Sequence, residues 1–374
     1  MTDACCDFIV TDLTVRGRTY TAACLYEGKH LTDLRLEKKD TVSRTGQIVV
    51  GVVENIAANI GGAFVRIGRD ERAFLPDRRP SVRGSSRLIV RLTKDAFGIK
   101  QCTCTDKLEI AGRYCVAVED RKGFSFSSKL DKATKEQLKA RLNPSLAETC
   151  GILIRTAAAT AALTDIEKEI RTLSEHLRLV RERAAGAPVG TILYQPEPFY
   201  VRMINDMRRK PDRIRSDIPL AAKLTGGDYY EDPTISLSVL KGLESDIGKL
   251  TQRRVWLRSG AFLIFDRTEA LTDIDVNTGK CEKGRRAADT YRTVNDEALD
   301  EIARQIRLRN LSGMILVDFL KMPDRQSEAA LLEKARALFR QESYHTEAVD
   351  ITRLGLMEII REKREPALED ILRD

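Results

Sequence analysis

From residue 255 onward, apolar runs of strand length alternate with amphipathic stretches of helical period. "AFLIFD" and "ALTDIDV" read as a hairpin, "GMILVDFL" as a buried strand and "TEAVDI" as a further strand. Between them Val294, Ala298, Ile302 and Ile306 recur every four residues, with Asn295 as a candidate N-cap, and residues 326–342 read as a second helix. A last helix is expected over about 355–364. A β-α-β-α-β order implies parallel strands joined by right-handed crossovers, with their C-terminal ends on one edge. Three charged residues then converge there: Asp275, Asp318 in "ILVDF" and Arg353 in "DITRLG".

The stretch "LTDIDVNTGK" (271–280) sharpens this expectation. Asp273, Asp275 and Asn277 alternate with Ile274 and Val276, so one strand face carries oxygen-bearing groups and the other carries core. Residues two apart on one strand lie about 6.6–6.8 Å apart, whereas adjacent strands lie about 4.8 Å apart. Magnesium takes oxygens at about 2.0–2.1 Å, so opposite ligands are about 4 Å from each other. A cross-strand pair fits better than Asp273 with Asp275. Asp275 and Asp318 are therefore assigned as direct ligands, and Asn277 as a group orienting water or substrate. Asp273 reads as solvated or supporting. The other reading is that Asp275 and Asn277 merely end a strand through an Asn-Thr-Gly turn. Asp318 argues against it, since an acid inside "GMILVDFL" should be costly unless paired.

Upstream, residues 8–36 read as short strands and turns. "GQIVVGVVENI", "GGAFVRIG", "RAFLP", "SRLIVRLTK" and "KQCTCT" supply about five short strands, the content of a small closed barrel of the OB type. A helix is expected from Thr164, with Thr164 and Glu167 as a capping box and Ile166, Ile170, Leu173, Leu177, Val180 and Ala184 along one face. Another should cover about 235–250, burying Leu240, Leu243, Ile247 and Leu250. The basic run "MRRKPDRIR" (207–215) reads as a solvated face rather than a track for a polyanion.

Composition excludes several classes. With 374 residues, 42% of them apolar and 32% charged, the chain can build sizeable cores and is not disordered. No run of about 18 apolar residues occurs, so no membrane segment is expected, and "MTDACCDFIV" lacks the marks of a signal peptide. The eight cysteines contain no C-x-x-C, which points to buried or free thiols and a cytoplasmic protein. A net charge of +7 permits an anionic partner. Only three histidines occur, His30, His176 and His345, so a two-histidine ribonuclease mechanism is poorly supplied. Hydrolysis here would rest on carboxylates and a metal.

The segments "EALTDIDVNTGK", "NDEALDEIARQIRLRNLSGMILVDF" and "TRLGLMEIIREKREP", with "GAFVRIG" followed by "AFLP" and with "GILIRTA", resemble the ribonuclease E/G family of endoribonucleases. The resemblance spans nearly the whole chain and is strongest from 251 on. It implies a magnesium-dependent endoribonuclease, manganese being the alternative ion. It would cut single-stranded RNA to 5′-phosphate and 3′-hydroxyl ends, be stimulated by a 5′-monophosphate, and act in RNA processing and decay. Asp275 and Asp318 match the family's metal-holding aspartates and Asn277 its asparagine. Arg353 matches an arginine near the cleaved phosphate, a structural ion pair being its other role. Phe64 and Phe74 match RNA-facing aromatics of the barrel, and Lys100 a barrel lysine. Phe64 and Arg66 share a strand face, which puts a stacking surface beside a cation; the other role of either phenylalanine is core. Arg155 and Thr156 match a sensor of the RNA 5′-phosphate.

The implied fold is α+β and multidomain. An OB-type (S-one-like) barrel, 38–110, interrupts an RNase H-like subdomain, 1–37 and 191–250. A 5′-sensor region, 111–190, follows the barrel, and a DNase I-like catalytic subdomain covers 251–374. Two departures stand out. The family's C-P-x-C motif does not occur in the 374 residues, so zinc is not expected and any homo-oligomer would form without a zinc link. Asp273 replaces a residue that is usually small and apolar. The alternative function is a catalytically inactive RNA-binding protein that uses the barrel. A DNA-directed nuclease fits less well, because duplex suits a single-strand stacking surface poorly.

Overall fold

A computed structural model of the chain describes residues 5–40, 43–76, 84–96, 101–207, 210–279, 287–322, 324–340 and 342–373, backbone only over 287–289. It forms two compact units, Met1–Thr41 with Pro211–Asp374, and Val42–Lys210. The fold is mixed α+β.

In the second unit, five strands close on themselves: Ile48–Ala57, Gly62–Arg66, Arg72–Pro76, Cys102–Thr105 and Arg87–Lys94, the last pairing back onto the first. These are the five short strands expected from the sequence. All pairings are antiparallel except that of Arg72–Pro76 with Cys102–Thr105. Val49, Val53, Ala63, Val65, Ala73, Leu75, Val90 and Leu92 fill the interior. Downstream, a four-stranded sheet (Gly123–Phe126, Gly151–Ile154, Cys115–Val118, Glu109–Ala111) packs under the helix Leu163–Ala184. That helix buries Ile166, Ile170, Leu173, Leu177 and Val180 as its period requires. The capping box does not form. The helix starts one residue earlier, after Ala162, with no side-chain cap, so Thr164 lies inside its first turn.

The first unit holds two sheets. In one, Cys6–Val15, Arg18–Glu27 and His30–Lys38 form an antiparallel meander. Arg16 and Gly17, both at positive φ, make its first two-residue turn. Arg213–Ser216 and then Asp228–Tyr229 extend the sheet in parallel. The basic run thus contributes a strand, and Arg215 is ion-paired with Asp7. The helix expected over 235–250 is two helices, Leu237–Lys241 and Leu243–Leu250, split at Gly242 in the left-handed conformation. The break takes Leu240 off the buried stripe and leaves it 52% exposed.

The other sheet runs in the order Arg254–Trp256, Phe262–Arg267, Leu271–Asn277, Gly313–Asp318, Leu356–Arg361, Thr346–Ile351. Helices Ala287–Leu308 and Arg325–Phe339 cover one face, burying Ile274, Val276, Ile315, Val317, Met357 and Ile359 against Val294, Ala298, Ile302, Ile306, Leu331 and Phe339. Three expectations need correction. Residues 356–361 are a strand, not a helix. That strand is antiparallel and inserts between Gly313–Asp318 and Thr346–Ile351, so only Leu271–Asn277 and Gly313–Asp318 are adjacent parallel strands. Asn295 is no cap: it is fully buried mid-helix, and its amide both donates to the Leu320 carbonyl (2.7 Å) and accepts from the Leu320 N–H (3.1 Å).

Two stability predictions follow from these contacts. Asp7 is buried and bonded to Arg215 and, at 3.0 Å, to Lys241. Burial alone would raise its pKa, but the Arg215 and Lys241 interactions outweigh it and hold the carboxyl below its ordinary 3.8. Its stabilisation is therefore complete above that value and is lost as pH falls through the folded-state pKa. Asp7→Asn should lose about 3 kcal/mol at pH 7, with a deficit that shrinks in acid. Urea midpoints at pH 7 and in acid check this, and an equal deficit at both would refute it. In the barrel, a Cβ on Gly62 would sit 2.5 Å from both the Leu75 carbonyl oxygen and the Phe74 ring. Gly62→Ala should cost about 1–3 kcal/mol in urea denaturation, and Phe74→Ala in that background should recover part of it.

Candidate functional site

Alternation of burial fixes which side chains leave the six-stranded sheet on its uncovered face. Along Leu271–Asn277, Thr272, Ile274 and Val276 are buried while Asp273, Asp275 and Asn277 are half-buried on the other side. Along Gly313–Asp318, Ile315 and Val317 are buried while Met314 and Asp318 are exposed. The sequence reading placed Asp318 inside a wholly buried run; it is instead the last residue of a strand with one open face. The parallel register sets Asp275 directly opposite Asp318, so the two carboxylates rise from neighbouring strands about 4.8 Å apart. Both lining an open pocket of about 450 Å³, they share it with Arg253, Arg254, Phe262, Asp266, Asp273 and Asn277.

Gly279, the glycine of the Asn-Thr-Gly stretch on which the other reading rested, adopts positive φ close to the Gly260 carbonyl, where a Cβ would clash. The strand therefore ends there and its last polar residues still line the pocket. Asn277 Nδ2 donates to Asp275 Oδ2 at 2.7 Å, which orients that carboxylate. The Asp273 carboxyl is pushed up, first by burial and then by the charges of Asp275, Asp266 and Asp318. Asp266 is held below the ordinary carboxylate range by its hydrogen bonds to Arg253.

This donor set fits a hard divalent cation: two facing carboxylates, an amide and an excess of negative charge. Among the described residues, no three His, Cys, Asp or Glu side chains form a ready-made cage. A magnesium ion needs none, because it keeps water and phosphate oxygens among its ligands. Arg353 lies exposed on the hairpin tip between Thr346–Ile351 and Leu356–Arg361, three residues before Leu356, which pairs with Asp318. It does not line the pocket.

In the other unit, Phe64 and Phe74 are cross-strand neighbours with ring centroids 5.5 Å apart. Both are half-buried on the outer face of the barrel, not in its core. Arg66 shares that face but is ion-paired with Glu54 (2.8 Å), which also takes Arg72 (2.7 Å). Glu54 sits where the strand register slips between Val53 and Asn55, a placement invisible in the sequence. Lys100 lies outside the described residues. Arg155 donates to the Gly112 carbonyl and to Asp206 Oδ1 (2.6 Å), and Thr156 opens a short 3-10 turn after it. Sequence reasoning missed Glu169 here. Its carboxylate accepts from three successive backbone N–H groups, those of Arg113 (3.0 Å), Tyr114 (2.7 Å) and Cys115 (2.9 Å), an anion-binding nest filled by the chain itself. Only the contact of Glu169 with the backbone around Gly112, far off in sequence, could have revealed it.

Comparison with known proteins supplies the context. Residues 109–364, more than half of the chain, match the model of the ribonuclease E/G family. The chain is 27% identical to ribonuclease E of Escherichia coli (strain K12), over 92% of this chain and 36% of that protein. It is 27% identical to ribonuclease G of the same organism, over 94% and 79% respectively. It is 28% identical to ribonuclease E of Synechocystis sp., over 86% and 52%. It thus spans well under half of the Escherichia coli ribonuclease E and about four-fifths of ribonuclease G. No helix among the described residues is long and apolar enough to cross a membrane. With this match lying over a sheet that opposes Asp275 and Asp318, the chain belongs to the ribonuclease E/G family.

Proposed function

We propose that this protein is a magnesium-dependent endoribonuclease that cuts single-stranded RNA to 5′-phosphate and 3′-hydroxyl ends in RNA processing and decay. The observation that carries the reading is the cross-strand opposition of Asp275 and Asp318 on the open sheet face, in a chain of this family. Asp275 and Asp318 would hold Mg2+, with Mn2+ as the alternative oxygen-seeking ion. When bound, such an ion supplies Lewis-acid polarisation of the phosphate and a lowered water pKa. Asn277, donating to Asp275, keeps its amide oxygen to orient a water or a ribose hydroxyl. Arg353 offers charge-assisted hydrogen bonds to a phosphate. The all-oxygen set does not suit zinc, which takes sulfur and nitrogen ligands.

The same reading assigns the barrel as an OB-type RNA-binding module, supported by its closure and by its single parallel pairing. Phe64 and Phe74 would stack bases there, at about 1–3 kcal/mol each, with Arg66 and Lys100 as the adjoining cations. The meander and its parallel extensions support the RNase H-like assignment, and the helix-covered sheet the DNase I-like one. Arg155 and Thr156 would take a 5′-monophosphate through donors that Gly112 and Asp206 do not use.

Asp275→Asn should lower magnesium-dependent cutting of a 5′-phosphorylated single strand by about 100-fold or more, with RNA affinity unchanged. Gel-resolved cleavage and fluorescence anisotropy measure the two separately. Undiminished cutting rejects the site; binding without cutting by the unaltered chain favours the non-catalytic RNA-binding protein. Arg155→Ala should abolish any rate advantage of 5′-monophosphate over 5′-hydroxyl RNA. A surviving advantage would remove Arg155 from the sensor.

A further inference from the structure

Beside the carboxylate pair lies an aromatic cluster that the proposed mechanism does not use. Trp256 is the chain's single tryptophan, and it is 59% exposed. Its ring centroid lies 5.2 Å from that of Phe262, with the planes tilted by 58°. The Arg254 guanidinium lies 4.5 Å from the Phe262 centroid and 5.7 Å from that of Trp256. Its neighbour Arg253 is ion-paired with Asp266, whereas among the described residues Arg254 has no carboxylate partner.

The register ties this cluster to the candidate metal site. Trp256 pairs with Phe262, and Phe262 with Asn277; Arg254 pairs with Ile264, Ile264 with Asp275, and Asp275 with Asp318. Two adjacent rows thus cross the uncovered face, one aromatic leading to Asn277 and one from a cation to the carboxylates. Two strand spacings, about 10 Å, separate the Trp256 backbone from that of Asn277. Arg254 and Phe262 line the same pocket as Asp275 and Asp318. A large, mostly exposed indole held at a tilt against a ring and beside a guanidinium, at the rim of an acidic pocket, has little to gain from solvent.

We infer that Arg254, Trp256 and Phe262 form a stacking platform for a nucleobase flanking the phosphate held at Asp275 and Asp318. The occupant is a base of single-stranded RNA. Every base offers a π-face, duplex would keep that face paired and stacked, and Arg254 adds a cation where the polyanion passes. The inference rests on the nuclease reading for the position of the phosphate, and its test separates the two.

The probe is a short single-stranded oligoribonucleotide carrying one abasic residue, moved stepwise across the cut site, bound to the full chain with Asp275→Asn to prevent cutting. Trp256 emission should be quenched by the intact strand. One abasic position should abolish the quench and weaken binding about 10-fold. In Asp275→Asn with Trp256→Ala, read by anisotropy of labelled RNA, that position should cease to matter, and Trp256→Phe should restore part of its effect. An unchanged abasic profile in the Trp256→Ala chain overturns the platform, as does emission that follows protein concentration and ignores RNA, the mark of an interface between copies. Magnesium-dependent cleavage by the otherwise unaltered chain without any quench overturns the platform and leaves the nuclease reading intact. A quench without cleavage does the reverse.

Discussion

The site depends on the register between Leu271–Asn277 and Gly313–Asp318. Nothing local favours bringing two carboxylates face to face, since like charges at that spacing repel; the neighbouring Asp273 carboxyl is raised first by burial and then by these same charges. The core beneath opposes this. Ile274, Val276, Ile315 and Val317 are all but fully buried under the two helices, together worth on the order of 6–12 kcal/mol. A one-residue slip of either strand would turn its two apolar residues out of the core and its aspartate into it. The apolar face therefore fixes the position of the polar one. Asn295 strengthens the arrangement by satisfying both backbone groups of Leu320, two residues past Asp318, from inside the covering helix.

The parts of this fold that were legible in the sequence are those where burial follows one period. The five barrel strands and the helix ending at Ala184 read correctly for that reason. The strand Leu356–Arg361 did not, because a charged residue occupies a core position. Met357, Ile359 and Arg361 point inward, and buried Arg361 bonds to Asn310 (2.7 Å) and the Leu311 carbonyl (2.9 Å) and lies over the Tyr344 ring. A charged residue at an inward position hides the two-residue alternation by which a strand is read. Asn295 misled by the same route, a polar residue that serves a partner distant in sequence. Gly242 could have been taken for the stop it is, but an apolar stripe on both sides argued for continuity.

Asp275 and Asp318 were legible as a pair because topology and strand spacing suffice to oppose them. Their surroundings were not. Whether a cation is available to RNA depends on what faces it from other elements, and sequence spacing carries none of that. Arg66 is matched by Glu54 at a bulge, Arg155 by Asp206, and the nest of residues 113–115 by Glu169. Each has an acidic neighbour in the fold that sequence spacing does not announce.

The distribution of unmatched charge is therefore more informative than the net +7. An RNA phosphate approaching a pocket lined by Asp266, Asp273, Asp275 and Asp318 meets a repulsive field, which a bound cation would reverse only at its centre. Flanking nucleotides need attraction from elsewhere. Arg254 and Arg353, which make no ion pair among the described residues, stand on either side of the carboxylate row, one through the aromatic strands and one on the hairpin beyond Leu356. A strand laid across the sheet in that direction would meet a cation, the acidic centre and a second cation in turn. On the proposed reading, that order would hold the chain by its ends and leave the middle phosphate over Asp275 and Asp318.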